Sequence, residues 1–152
     1  MSWTITKNFQ KENTVTFGNT FMLGNGYMGY RGTFEEYGKN EFVACNLSGI
    51  YDQVGEAWRE PINVPNAFFT KVNVNGTEMS LLEQEPESHQ QELNMKQAIH
   101  RRQTIFSTEK GPVTITAERF ISSENHHLMA LHYTVKVASD GLVVITTGIL
   151  GY

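Results

Sequence analysis

The sequence predicts an all-β domain, an antiparallel β-sandwich, on three observations. The second half of the chain alternates apolar and polar residues in short runs. Turn-forming residues separate those runs. No segment carries a helical apolar period over three turns. Strands joined by short turns pair antiparallel, and several half-buried strands of this kind build a sandwich or barrel.

The elements follow in chain order. Thr14 to Phe17 and Phe21 to Leu23 read as short strands, and Glu41 to Ile50 as another. Residues 51–66 carry Gly55, Pro61 and Pro65, which predicts an ordered loop with an extended piece at PINVPN. In KVNVNGTEMSLL, Val72 and Val74 precede Asn75-Gly76 while Met79 and Leu81 follow it, the strongest short-range hairpin signal. The polar segment EQEPESHQQE reads as a loop, and LNMKQAIHRRQTIF as a long strand or a strand pair. Glu109 to Pro112 makes a turn. Val113, Ile115 and Ala117 then alternate with Thr114, Thr116 and Glu118, up to a turn at Ser122 to Asn125. Met129, Leu131, Tyr133, Val135 and Val137 share one strand face, and LVVITTGI ends the pattern after Ser139-Asp140-Gly141.

Composition excludes several classes. The chain has 152 residues, the size of one domain, and is 39% hydrophobic, enough for a core and too little for a membrane protein. Its 12 basic and 16 acidic residues give a net charge of −4, with no basic cluster beyond Arg101-Arg102, so nucleic acid is a poor partner. The single Cys45 cannot form an intrachain disulfide and fits a reducing compartment. No apolar run spans a bilayer and MSWTITKNFQ lacks a signal peptide's apolar core. The expected location is the cytoplasm, with no membrane partner.

GNGYMG at residues 24–29 is a literal G-x-G-x-x-G. A dinucleotide site needs a strand before it and a helix after it, within a βαβ unit. Here YRGTFEEYGKNEF follows, with Gly32 and Gly38 breaking any helix. The glycines read instead as tight turns and close backbone packing beside Tyr27, Tyr30 and Phe34.

FMLGNGYMGYRGTFEE, then SGIYD, then WREPINVPN resembles the start of glycoside hydrolase family 65, which holds maltose, kojibiose, nigerose and trehalose phosphorylases and some hydrolases. The matching residues are Gly24, Asn25, Gly26, Gly29, Arg31, Gly32, Glu35 and Glu36, followed by Asn63, Pro65 and Asn66. Arg119, Phe120, Ser122, His127 and Leu128 extend the likeness, which runs from about Phe17 to Ile149. The resemblance implies an N-terminal super-sandwich like that of galactose mutarotases, ahead of a helical linker and a catalytic (α/α)6 barrel. Residues 1–152 would then be a truncated N-terminal sandwich domain, inactive alone, with no catalytic residue to carry over.

The resemblance also implies the parent's chemistry. An α-linked glucose disaccharide is cleaved with inversion, a carboxylic acid protonating the leaving oxygen. Phosphate, the co-substrate, replaces the water of a hydrolase and gives β-glucose 1-phosphate; no metal or organic cofactor is needed. The full-length protein is expected to be a homodimer, with Trp58, Phe68 and Phe69 as possible interface residues. Phe68 and Phe69 read equally well as sandwich core. The alternatives are a hydrolase of the same family, a mutarotase-like enzyme and a stand-alone carbohydrate-binding sandwich presenting Tyr27, Tyr30, Tyr37 and Tyr51.

Other candidates have plainer readings. Glu35-Glu36 could be a catalytic pair, but neighbours on an extended strand face opposite ways. One is expected in solvent and the other against Arg31 or a backbone amide. His126, His127 and His132 lack partners at ligand spacing, so no metal site is expected. His100, Arg101 and Arg102 read as a small basic spot on a strand surface, and Cys45 as a buried, inert thiol.

Overall fold

The computed structural model describes residues 2–151. The strands are β1 (Thr4–Asn8), β2 (Leu23–Gly24), β3 (Met28–Tyr30), β4 (Cys45–Leu47), β5 (Tyr51–Val54), β6 (Trp58–Pro61), β7 (Asn66–Val74), β8 (Thr77–Glu78), β9 (Ser88–Asn94), β10 (Ile99–Phe106), β11 (Val113–Ile121), β12 (Met129–Val137) and β13 (Val143–Leu150). A short α-helix, α1 (Thr14–Thr20), lies between β1 and β2.

The main sheet runs β1-β9-β10-β11-β12 and the second runs β13-β7-β8, with every pairing antiparallel. Phe106, Val113 and Ile115 of the first sheet and Phe68, Val72 and Val74 of the second enter one core. The expected hairpin stands at Asn75-Gly76, where both residues have positive φ, 53° and 90°. The turn is pinned by a bond from the Gly76 amide to Asn73 Oδ1 at 2.7 Å. The antiparallel β architecture is therefore as the sequence predicts.

Four local expectations need correction. Thr14 to Phe17 is helix, not strand: Thr14 Oγ1 donates to the Lys11 carbonyl at 2.8 Å, and Arg31 donates to the Val15 carbonyl. Residues 51–66 are not mainly a loop, since β5 and β6 form their own hairpin, with all eight strand residues exposed. Glu41 to Ile50 holds only the three-residue β4. The segment read as a polar loop, 83–92, contributes most of β9. Its inward residues are His89, Gln91 and Leu93, so polar side chains occupy core positions and hide the alternation.

Candidate functional site

The polar interior begins with the segment after the glycine-arginine run. Thr33 to Tyr37 is buried residue by residue. It crosses between the sheets, where the Thr70 amide of β7 donates to the Glu35 carbonyl at 2.9 Å. A turn closes it, with the Tyr37 amide on the Phe34 carbonyl at 3.1 Å. Because Glu35 and Glu36 sit in that turn and not on an extended strand, both carboxylates reach the same guanidinium.

That guanidinium is Arg102 of β10. Its Nε lies 3.0 Å from Glu35 Oε2 and one Nη lies 2.9 Å from Glu36 Oε2. These are ion-pair distances, although the N–H directions are not aligned as hydrogen bonds. Arg119 of β11 donates to Glu35 Oε1 at 3.0 Å and to the Thr33 carbonyl at 2.7 Å. The Leu81 amide donates to Glu36 Oε1 at 3.3 Å. Arg102 also stacks over Phe34 at 5.0 Å and Arg119 over Tyr30 at 5.1 Å. Two carboxylates thus face two guanidiniums, and all four side chains are inaccessible to solvent or nearly so.

Two histidines complete the interior. His89 Nδ1 shares a 2.8 Å hydrogen bond with Thr104 Oγ1, and His100 Nε2 one of 3.1 Å with Gln91 Oε1. Burial and then the charge of Arg102 lower the His89 pKa to about 3. Burial, Arg119, Arg102 and His89 hold His100 well below its usual value. Both are therefore neutral near pH 7. Burial works to lower the Arg102 pKa, but Glu36 and Glu35 outweigh it and the guanidinium stays charged. Burial also pushes the Tyr37 and Tyr133 phenols up.

The expected surface roles are overturned here. Neither Glu35 nor Glu36 is solvated, and neither pairs with Arg31; the backbone amide at Glu36 is the one part observed. Of the expected basic spot only Arg101 is on the surface, because His100 and Arg102 are 0% and 1% exposed. A pair of carboxylates locked by buried arginines has no access to substrate, so this interior is a scaffold and not an acid–base site. Removing one partner of such a network leaves a buried charge unpaired.

The motif residues build the scaffold's supports. Asn25 Oδ1 accepts the Tyr27 and Met28 amides at 3.0 and 2.8 Å, and its Nδ2 donates to the Ser122 and His126 carbonyls. Asn25 thus ties the β2–β3 turn, where Gly26 has φ 89°, to the turn after β11. Gly24 and Gly29 face each other in the β2–β3 register, and no nucleotide-binding helix follows. Arg31 donates to Asn19 Oδ1 and the Phe42 carbonyl, both at 2.8 Å, clasping α1. A Cβ on Gly32 would lie 2.4 Å from Phe21 Cβ, so only glycine fits. Asn63 accepts the Cys45 amide at 2.8 Å and donates to the Val43 carbonyl at 2.9 Å, with Pro65 exposed two residues on. Buried Asn66 accepts from the Tyr30 hydroxyl at 2.8 Å and from the Phe68 amide at 2.9 Å.

The remaining candidates scatter. Trp58 is 60% exposed on the β5–β6 hairpin, Phe68 is core, and Phe69 is half-buried. Tyr30 and Tyr37 are buried, Tyr27 packs edge-on against His127 at 4.5 Å, and Tyr51 lies exposed on the hairpin. The four tyrosines form no shared platform. Cys45 is buried and its thiol pKa is raised by burial. Among the described residues no three His, Cys, Asp or Glu side chains could hold a metal ion, and no helix is long and apolar enough to cross a membrane.

The sequence contained a signal for the missed arginine. Val113, Ile115, Ala117 and Ile121 set the inward parity of β11, and Arg119 falls on it. Arg102 and His100 likewise share parity with Phe106.

The family model described as "Glycosyl hydrolase family 65, N-terminal domain" matches residues 4–152. The chain belongs to this family. It is 43% identical over 152 residues to a nigerose phosphorylase of Lachnoclostridium phytofermentans, covering 99% of this chain and 20% of that protein. It is 36% identical over 149 residues to a 1,2-alpha-glucosylglycerol phosphorylase of Bacillus selenitireducens, covering 97% of this chain and 19% of the relative. A solved structure described as "Putative kojibiose phosphorylase from human microbiome" superposes with TM-score 0.85 at 19% identity, over 93% of this chain and 21% of that one. This last likeness shows the shared fold alone. The chain spans about a fifth of the length of the curated relatives it matches.

Proposed function

We propose that this family 65 domain is the N-terminal structural domain of an inverting α-glucoside phosphorylase. That enzyme would convert a glucose disaccharide and inorganic phosphate into β-glucose 1-phosphate. The observation that carries the reading is the full-length match to the family's N-terminal domain, with 43% identity to a nigerose phosphorylase. The locked ionic interior supports a scaffold role: it offers no solvent-accessible acid and base. Catalysis then belongs to a barrel outside residues 1–152. There, donors to the anionic phosphate take the place of a second carboxylate base.

The domain holds the barrel and takes part in a cytoplasmic homodimer, with exposed Trp58 in the contact. Phosphate acts as co-substrate, without an organic cofactor, and neither nucleic acid nor membrane is a partner. A hydrolase of the same family is the alternative.

The test is phosphate-dependent release of β-glucose 1-phosphate by the full-length protein from nigerose, kojibiose and maltose. Glucose release at equal rate without phosphate would move the assignment to a hydrolase. Turnover by the 152-residue chain alone would overturn the scaffold role.

A further inference from the structure

We propose that the outer face of the main sheet carries a binding site for a neutral saccharide, centred on Asn8, Gln90 and Gln103. The inference goes beyond the phosphorylase reading and does not need it.

Strand parity builds the site. Along β9 the inward residues are His89, Gln91 and Leu93, so Gln90 points outward. Register places Asn8 of β1 on one side of Gln90 and Gln103 of β10 on the other. Three side-chain amides therefore stand in one row across three strands, about 10 Å from end to end. All three are exposed, and none makes a side-chain hydrogen bond among the described residues. A cavity of about 570 Å³ opens over the row, and Phe9, Glu85 and Glu87 also line it. That volume is in the range of small-molecule sites. A second cavity of about 220 Å³ shares Gln90 and Gln103 and reaches Thr116 of β11, which is in register with Gln103.

The lining selects the ligand. A side-chain amide offers donors and an acceptor together, and a carboxylate offers acceptors. A sugar hydroxyl donates and accepts at once, so a polyol satisfies both kinds of group. Phe9 adds apolar surface for the C–H side of a sugar ring. Among the described residues two carboxylates and no lysine or arginine border the first cavity, which disfavours phosphate and other anions. Arg101, at the second cavity, is already paired with Glu92 and Glu118. The length of the row suits a disaccharide better than a single ring.

The openness of this face is a property of its own residues. A surface that another domain covers has a centre depleted of charge. Here the amide row is flanked by a second row, Thr6, Glu92, Arg101 and Glu118. Such a face suits water and a polar solute, not a packed partner.

The experiment is hydrogen exchange of the full-length protein with and without maltose in phosphate-free buffer, beside the Q90A/Q103A variant. The expected result is slower exchange in residues 85–90, saturable in maltose and weakened about tenfold in the variant by the loss of two hydrogen-bonding side chains. Both side chains point away from the core, so the circular dichroism spectrum should not change. N8A shows the same direction if the double variant folds poorly. Glucose 1-phosphate, as the anionic probe, should give no protection there. An absence of maltose-dependent change at 85–90 overturns the proposal. Protection that survives Q90A/Q103A, or stronger protection by glucose 1-phosphate, also overturns it. Phosphate-dependent turnover is a separate readout and should be unchanged in the variant, so the two readings fail independently.

Discussion

Arg101 and Arg102 are neighbours in sequence and lie on opposite faces of β10. Arg101 points outward to Glu118 at 2.5 Å and Glu92 at 4.0 Å, with its side chain 44% exposed. Arg102 points inward, meets two carboxylates and is fully buried. The same side chain with similar partners performs two different jobs. Outside, water competes for every charge and the pair contributes little. Inside, the pair costs desolvation to form and far more to break. Charge content alone therefore does not identify the residues on which the domain depends.

The largest effect is expected from breaking the inner side. Arg102→Ala leaves Glu35 and Glu36 with an unpaired buried charge and should cost about 3–5 kcal/mol, read as a shift of the urea midpoint. Replacing Arg102 and Arg119 by Met together with Glu35 and Glu36 by Leu should recover most of that loss, because the desolvation cost disappears with the charges. A quadruple variant as unstable as Arg102→Ala would refute the electrostatic account.

Next comes the glycine that lets α1 lie against the segment carrying the glutamates. Gly32→Ala drives a methyl into the Phe21 backbone and should destabilise by about 1–3 kcal/mol. Thermal denaturation checks this, with Gly29→Ala as a control, since a Cβ at Gly29 meets nothing within 4 Å.

The buried histidines sharpen the comparison through pH. Both are neutral in the folded domain, while the unfolded chain takes up their protons below about pH 6.5. Stability from their burial is complete above that pH and is lost as pH falls from 6.5 toward the folded value, about 3 for His89. The slope should approach about 1.4 kcal/mol per pH unit for each histidine. Urea titrations between pH 7.5 and 5.5 should show it, and H89Q/H100Q should flatten it. An unchanged slope in that variant would place the proton uptake elsewhere.

The smallest effect belongs to the outer face. Arg101→Ala should change stability by no more than about 1 kcal/mol, and less in high salt. A loss comparable to that of Arg102→Ala would erase the distinction between the two faces.

Much of the β architecture was legible where apolar and polar residues alternate. β7, β11 and β12 follow that pattern, and the Asn75-Gly76 turn needs only local backbone preference. Legibility failed where polar residues fill core positions. β9 was hidden because His89 and Gln91 point inward, and the inner half of β10 resembled surface for the same reason. It failed also at Thr14 to Thr20, where Arg31, distant in sequence, helps hold the helix. For the site, the motif residues from Gly24 to Glu36 could be named from the chain. Their partners could not, because Arg102 and Arg119 lie 67 and 84 residues from Glu35 (102 − 35 and 119 − 35).

Local information by itself was enough for the antiparallel β class, the main hairpin turn and the exclusion of a dinucleotide site. These depend on side-chain period and on the φ that glycine and asparagine accept. Tertiary structure alone decided that Glu35 and Glu36 are buried and that two arginines meet them. Burial is a property of what packs against a residue, and those neighbours come from strands far along the chain.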